Sequence, residues 1–204
     1  MCALLIATLL AFLLPSTASV ELKCQGGKAL KEQAEQVEKS IGDRRWLLIQ
    51  GKQKNGPNGG KMPMPEQMDE VRWNCSLEKE AIDLIGGACS GDVPTTDYRT
   101  ILLTSVTGET RPPFESALTV WTTELDRKAM RESAIGDDSV TYQNDIFLLD
   151  YLNLVRANLT GIGCAQTTCS LSIPSHNNAK KSVVLCLTNE PPLGFGDVIY
   201  EIRK

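Results

Sequence analysis

The chain has 204 residues, a formal net charge of −4, seven cysteines and one histidine. The acidic balance argues against nucleic-acid binding driven by phosphate neutralisation. No basic run longer than Arg44-Arg45 or Lys180-Lys181 is present to hold an anionic membrane.

Residues 1–19 carry no charged side chain, and the apolar run from Leu4 to Leu14 ends at Pro15, before small Ser16, Thr17, Ala18 and Ser19. This is the pattern of a secretory signal peptide, and the run is too short for a bilayer span of roughly 20 residues. The expectation is a signal peptide over 1–19 and one domain over 20–204, secreted and without a stable membrane anchor. Cys2 leaves with the signal peptide. Cys24, Cys75, Cys89, Cys164, Cys169 and Cys186 remain, an even set suited to disulfides in an oxidising compartment. Spacing alone leaves their connectivity open.

Leu30, Ala34, Val37, Ile41 and Leu48 fall near helical spacing and predict a helix within Lys28 to Gln50. A turn-rich loop follows from Lys52 to Lys61, with Asn55-Gly56-Pro57 and Gly59-Gly60. A second helix is expected after Asn74 or Ser76, either of which can cap it, and should stop near Gly86-Gly87. Thr100 to Val106 reads as a strand. Pro112-Pro113 opens a third helix with Phe114, Ala117, Leu118, Trp121 and Leu125 on its apolar stripe. Ile146 to Val155 predicts a buried helix. Ile162 to Ile173 and Ser182 to Thr188 predict an antiparallel hairpin joined by a polar loop from Pro174 to Lys181. The mixed order, without βαβ repetition, predicts an α+β fold with helices packed on a mainly antiparallel sheet.

Catalytic and metal chemistry is thinly encoded. A serine hydrolase needs a base, and His176 in a polar loop is the one imidazole; no Gly-x-Ser-x-Gly occurs. No Cys-x-x-Cys is present for zinc. The reading is therefore no catalytic residue, no metal ligand set and no cofactor. Asn74-Cys75-Ser76 and Asn158-Leu159-Thr160 are sequons, making Asn74 and Asn158 candidate glycosylation sites.

Several segments in order resemble the CAP superfamily of cysteine-rich secretory, antigen-five and pathogenesis-related class-one proteins, most of all the activation-associated secreted proteins of nematodes. They are Met68 to Ala81 (MDEVRWNCSLEKEA), Trp121-Thr-Thr-Glu124, Leu154 to Thr160 with Ile162-Gly163-Cys164, Val183 to Cys186, and Gly196 to Glu201. The resemblance spans about Leu30 to Glu201. It implies a three-layer α-β-α sandwich. It also implies bridges Cys164–Cys186 and Cys89–Cys169, leaving Cys24 and Cys75 to each other.

Many members of that family carry two His and two Glu in a cleft that can bind zinc. Here Ser90-Gly91-Asp92-Val93 follows Cys89 where the first His is expected, and no Glu lies between Tyr98 and Ile101. Asp150 stands at the second His position, so Glu124 and Asp150 are the relic of the cleft. The resemblance with this loss implies a non-enzymatic secreted protein acting by protein recognition, on an unknown partner such as a receptor on host blood or immune cells. The alternative is an extracellular sterol or fatty-acid carrier, needing an apolar cavity around Phe114 and Phe147. A metal-dependent hydrolase ranks last.

Overall fold

A computed structural model describes residues 21–89, 96, 99–107, 111–173 and 176–204. The expected signal segment, the stretch from Ser90 to Val93, Tyr98 and the His176 side chain lie outside the described residues.

Helix α1 (Lys31–Ile49) buries Ala34, Val37, Ile41, Arg45 and Leu48, a stripe at three- and four-residue steps. The Gln33 side chain accepts the Leu30 N–H at 2.9 Å and closes the first turn. The helix stops at Gly51, whose φ of +59° only glycine adopts cheaply and whose N–H returns to the Leu48 carbonyl at 2.9 Å. A two-residue strand β1 (Arg72–Trp73) leads into α2 (Cys75–Leu84) and a 3-10 turn (Ile85–Cys89). Asn74 caps α2, its Oδ1 accepting from Ser76 N at 2.9 Å and Leu77 N at 3.2 Å. Then come β2 (Ile101–Thr107), α3 (Pro113–Thr122), α4 (Glu124–Arg127), a 3-10 turn (Glu132–Ala134), β3 (Ser139–Thr141), α5 (Leu149–Leu154), β4 (Gly161–Ile173), β5 (His176–Thr188) and β6 (Val198–Glu201).

Four strands form one sheet in the order β1-β4-β5-β2, with β1 parallel to β4 and the other pairs antiparallel. Side-chain alternation along β5 divides the core into layers. Val184 and Cys186 join Val37, Ile41, Leu118 and Trp121 of α1 and α3 on one face. Val183, Leu185 and Leu187 join Leu77 and Ala81 of α2 on the other. This is the expected α-β-α sandwich. A third cluster, with Leu48, Leu125, Tyr142, Tyr151, Leu152 and Tyr200, gathers where α1, α4 and α5 meet the two-stranded ribbon β3-β6. Neither β1 nor β3 is foreseen from the sequence; at two and three residues they are too short to show alternation.

The three disulfides are Cys24–Cys75, Cys89–Cys169 and Cys164–Cys186. These are the pairs the resemblance implies. Cys164 and Cys186 are direct partners in the β4-β5 register, facing the α1/α3 layer.

Two expectations need correction. The helix expected over Ile146 to Val155 begins only at Leu149, and Ile146 and Phe147 are 71% and 66% exposed. Asn144 takes φ 55°, and Asp145 accepts the Phe147 N–H at its carboxylate and the Leu148 N–H at its carbonyl, so the chain turns instead of coiling. The polar stretch from Pro174 to Lys181 is mostly strand: Leu171 pairs with Ala179 and Ser170 with Lys180. Here β4 and β5 run on past Thr107, the last β2 residue, as a two-stranded arm. Such an arm needs no apolar face, so its polarity conceals the ladder.

Candidate functional site

Glu124 opens α4, directly after α3, because Thr123 breaks the helix between them. Its carboxylate reaches the start of α5, where the Tyr151 N–H donates to Oε2 at 2.9 Å. Glu124 therefore satisfies a free N–H in the first turn of α5, a role normally filled by a local capping side chain. Asp150 sits in that same first turn. The structure thus brings together the two residues the sequence marks as a relic cleft.

Burial dominates their chemistry. It pushes Glu124 up to about 7; the hydrogen bond from Tyr151 opposes the shift and the neighbouring Asp150 charge adds to it. Burial also pushes Asp150 up to about 6. Both carboxyls hold protons more tightly folded than unfolded, so their contribution to stability is present below pH 4 and is lost as pH rises through 6 and 7. Glu124→Gln keeps an oxygen for the Tyr151 N–H and removes the charge. Its expected result is no change near pH 4 and a gain on the order of 1–2 kcal/mol at pH 8, after discounting for partial solvent screening. Urea unfolding at the two pH values measures this; equal stability of variant and parent at pH 8 would refute the assignment.

A metal does not fit this pair. Zinc favours imidazole and thiolate and takes at least three protein ligands in most sites. Here there are two carboxyls, one of them committed to a helix end. No group of three or more His, Cys, Asp or Glu suited to a metal occurs among the described residues. The Phe114–Phe147 cavity is not formed: Phe114 is buried with the α1/α3 core, whereas Phe147 lies on the surface beneath the Lys128 ammonium, 4.5 Å from its ring centre. A groove of about 440 Å³ between α1 and residues 68–72 is lined by Glu35, Asp43, Glu70, Lys39 and Arg72 together with Ile49, Met68 and Val71.

The sequons differ. Asn74 is exposed but holds the α2 cap through its Oδ1, while Asn158 is exposed in the turn after α5. Sequence reasoning missed the buried charges that build the walls. Arg45 is 3% exposed and donates to the carbonyls of Asp69, Leu154, Arg156 and Ala157. Arg156 pairs with Glu190 at 3.0 Å. Arg45 lies on the apolar stripe of α1, and that position is the signal that could have shown it.

No family model matches the chain, and no curated protein matches it in sequence. Solved structures do. BmVAL-1 superposes with a TM-score of 0.72 at 20% identity, covering 89% of this chain and 88% of that one. The chain has the CAP fold. NaASP2, solved with Zn2+, shares that fold at a TM-score of 0.67 and 16% identity over 89% of this chain and 90% of its own. The hookworm platelet inhibitor follows at 0.58 and 17% identity, over 89% and 82%. At such identities the CAP fold is shared without the cleft chemistry being so.

Proposed function

We propose that this chain is a non-enzymatic, extracellular CAP-fold protein that acts by binding a protein on host blood or immune cells. The observation that carries the reading is the Glu124 carboxylate bound to the Tyr151 N–H. The one cleft glutamate that the resemblance matches has become part of the scaffold, and its neighbour Asp150 offers neither an imidazole nor a third ligand. Recognition then falls to the surface loops, where rigid scaffolds usually carry it. A fold neighbour named as a platelet inhibitor supports this class of target. Three disulfides support an oxidising, extracellular setting, and the exposed Asn158 is the favoured glycan acceptor.

The test is capture of host platelet and leukocyte surface proteins by the purified, disulfide-intact chain. Capture is expected to survive a chelator and Glu124→Gln, and elemental analysis is expected to find no stoichiometric zinc. Activity that requires Glu124 together with added divalent metal would overturn the proposal.

A further inference from the structure

The Lys52–Lys61 loop is a small hairpin of unusual charge. Lys54 and Lys61 are bridge partners, held by Asn55 N to the Gly60 carbonyl at 2.8 Å and Met62 N to the Gln53 carbonyl at 2.8 Å. Direct partners put their side chains on the same face. Burial alternates along the first arm: Lys52 and Lys54 are exposed and Gln53 between them is 2% exposed. Lys52, Lys54 and exposed Lys61 therefore share the outer face. No carboxylate among the described residues forms an ion pair with any of the three. Asp126, which lines a pocket with Lys52 and Lys54, is already occupied: Arg44 Nη1 donates to both its oxygens at 3.0 and 2.8 Å, and Gln53 Nε2 donates to Oδ1 at 3.0 Å.

Like charges placed directly opposite one another destabilise a strand pair. The fold nevertheless holds them there rigidly. The Asn55 side chain is bonded both ways to the Met130 backbone, at 2.6 and 3.0 Å. Gly56 (φ +77°) lies so close to Ala129 that a Cβ would sit 2.7 Å from its backbone nitrogen. Beside the hairpin, that pocket of about 240 Å³ is lined by Lys52, Lys54 and the Arg44–Asp126 pair, so among the described residues Lys52 and Lys54 are the unpaired cations at its rim, and Lys61 lies outside it.

We propose that this lysine face of the Lys52–Lys61 hairpin is a docking surface for sulfated polysaccharide chains. The fixed, uncompensated cations match a flexible polyanion, which gains by releasing its counterions. The tip, Pro57-Asn58-Gly59-Gly60, has no large apolar side chain to enter a membrane. Disulfides place the chain where sulfated polysaccharides are the abundant polyanions. This surface is separate from the Glu124 cleft and stands whether or not a protein partner exists.

The test uses the full disulfide-bonded chain on immobilised heparin across a salt series, with neutral dextran and a single-stranded DNA of matched charge as comparisons. Heparin binding is expected to weaken steeply with salt. The variant Lys52→Gln/Lys54→Gln/Lys61→Gln should lose at least about tenfold in affinity and show a salt slope shallower by roughly 2 to 3. A control, Lys31→Gln/Lys39→Gln/Lys204→Gln, removes lysines that are ion-paired and should bind like the parent. Unchanged melting temperatures establish that both variants fold. No heparin binding, or equal loss in the two variants, overturns the proposal. DNA binding as tight as heparin binding overturns the choice of polysaccharide.

Discussion

Glu78→Ala is expected to destabilise the protein by about 4 kcal/mol, enough to remove a large part of the stability of a domain this size. Glu78 is completely buried in α2. Oε1 accepts the backbone N–H groups of Lys28 at 2.7 Å and Ala29 at 2.9 Å, and Oε2 accepts the Trp73 indole N–H at 2.8 Å. The alanine leaves two buried donors, the Ala29 N–H and the Trp73 indole N–H, without partners at about 1–3 kcal/mol each, and the part-buried Lys28 N–H adds a smaller loss. It also frees the segment from Cys24 to Ala29, which passes so close that a Cβ on Gly27 would lie 2.3 Å from Oε1. Glu78→Gln separates the contributions. Its amide oxygen still serves the two backbone N–H groups, but its NH2 meets the indole N–H donor to donor, so about 1–3 kcal/mol is expected. Denaturant unfolding with the disulfides intact gives both values. A loss under about 1 kcal/mol for the alanine variant would mean that water or a shifted backbone replaces the carboxylate.

The same helix shows what was legible in the sequence. Asn74 and the Gly86-Gly87 pair announce the two ends of α2, and the continuous apolar run from Val183 to Leu187, buried on both faces, announces β5. These are local signals, and the structure keeps them. The segment order adds the sandwich and its bridges through resemblance. What the sequence conceals depends on partners distant along the chain. Gly163 reads as an ordinary strand glycine, yet a Cβ there would sit 2.1 Å from the Glu78 backbone nitrogen; it is the point where α2 rests on the sheet. Ile146 and Phe147 read as core because they are apolar, but Asp145 turns the chain and leaves them in solvent. In the cleft, residue identities report the missing histidines. They do not report that Glu124 caps α5, because that contact joins residues 27 apart. The lysine face is hidden for the same reason: Lys54 and Lys61 become neighbours only through the hairpin.

The other large effect belongs to Arg45. Arg45→Met is expected to cost about 3–4 kcal/mol, and Arg45→Lys nearly as much. The guanidinium lies on the apolar stripe of α1, and burial holds its pKa down to about 10, with Asp69 opposing the shift. A charge so placed is tolerable only when fully bonded. Nη1 donates to the carbonyls of Leu154 and Arg156 at 3.2 and 2.6 Å, and Nη2 to those of Asp69 and Ala157 at 2.7 and 3.1 Å. One planar fork thus ties α1 to the end of α5, to the turn before β4 and to the segment before β1. Methionine matches the volume and leaves those carbonyls short of a donor. The Ala157 carbonyl keeps the Asp69 N–H at 2.9 Å, which limits the damage. Lysine keeps the charge, but a point ammonium cannot span four carbonyls arranged for a fork. The readouts are unfolding free energy and amide exchange at Asp69 and Ala157. Both N–H groups are expected to lose protection in either variant, because the segments they anchor are no longer held to α1. Wild-type stability in the lysine variant would show that charge alone, and not the fork, secures this junction.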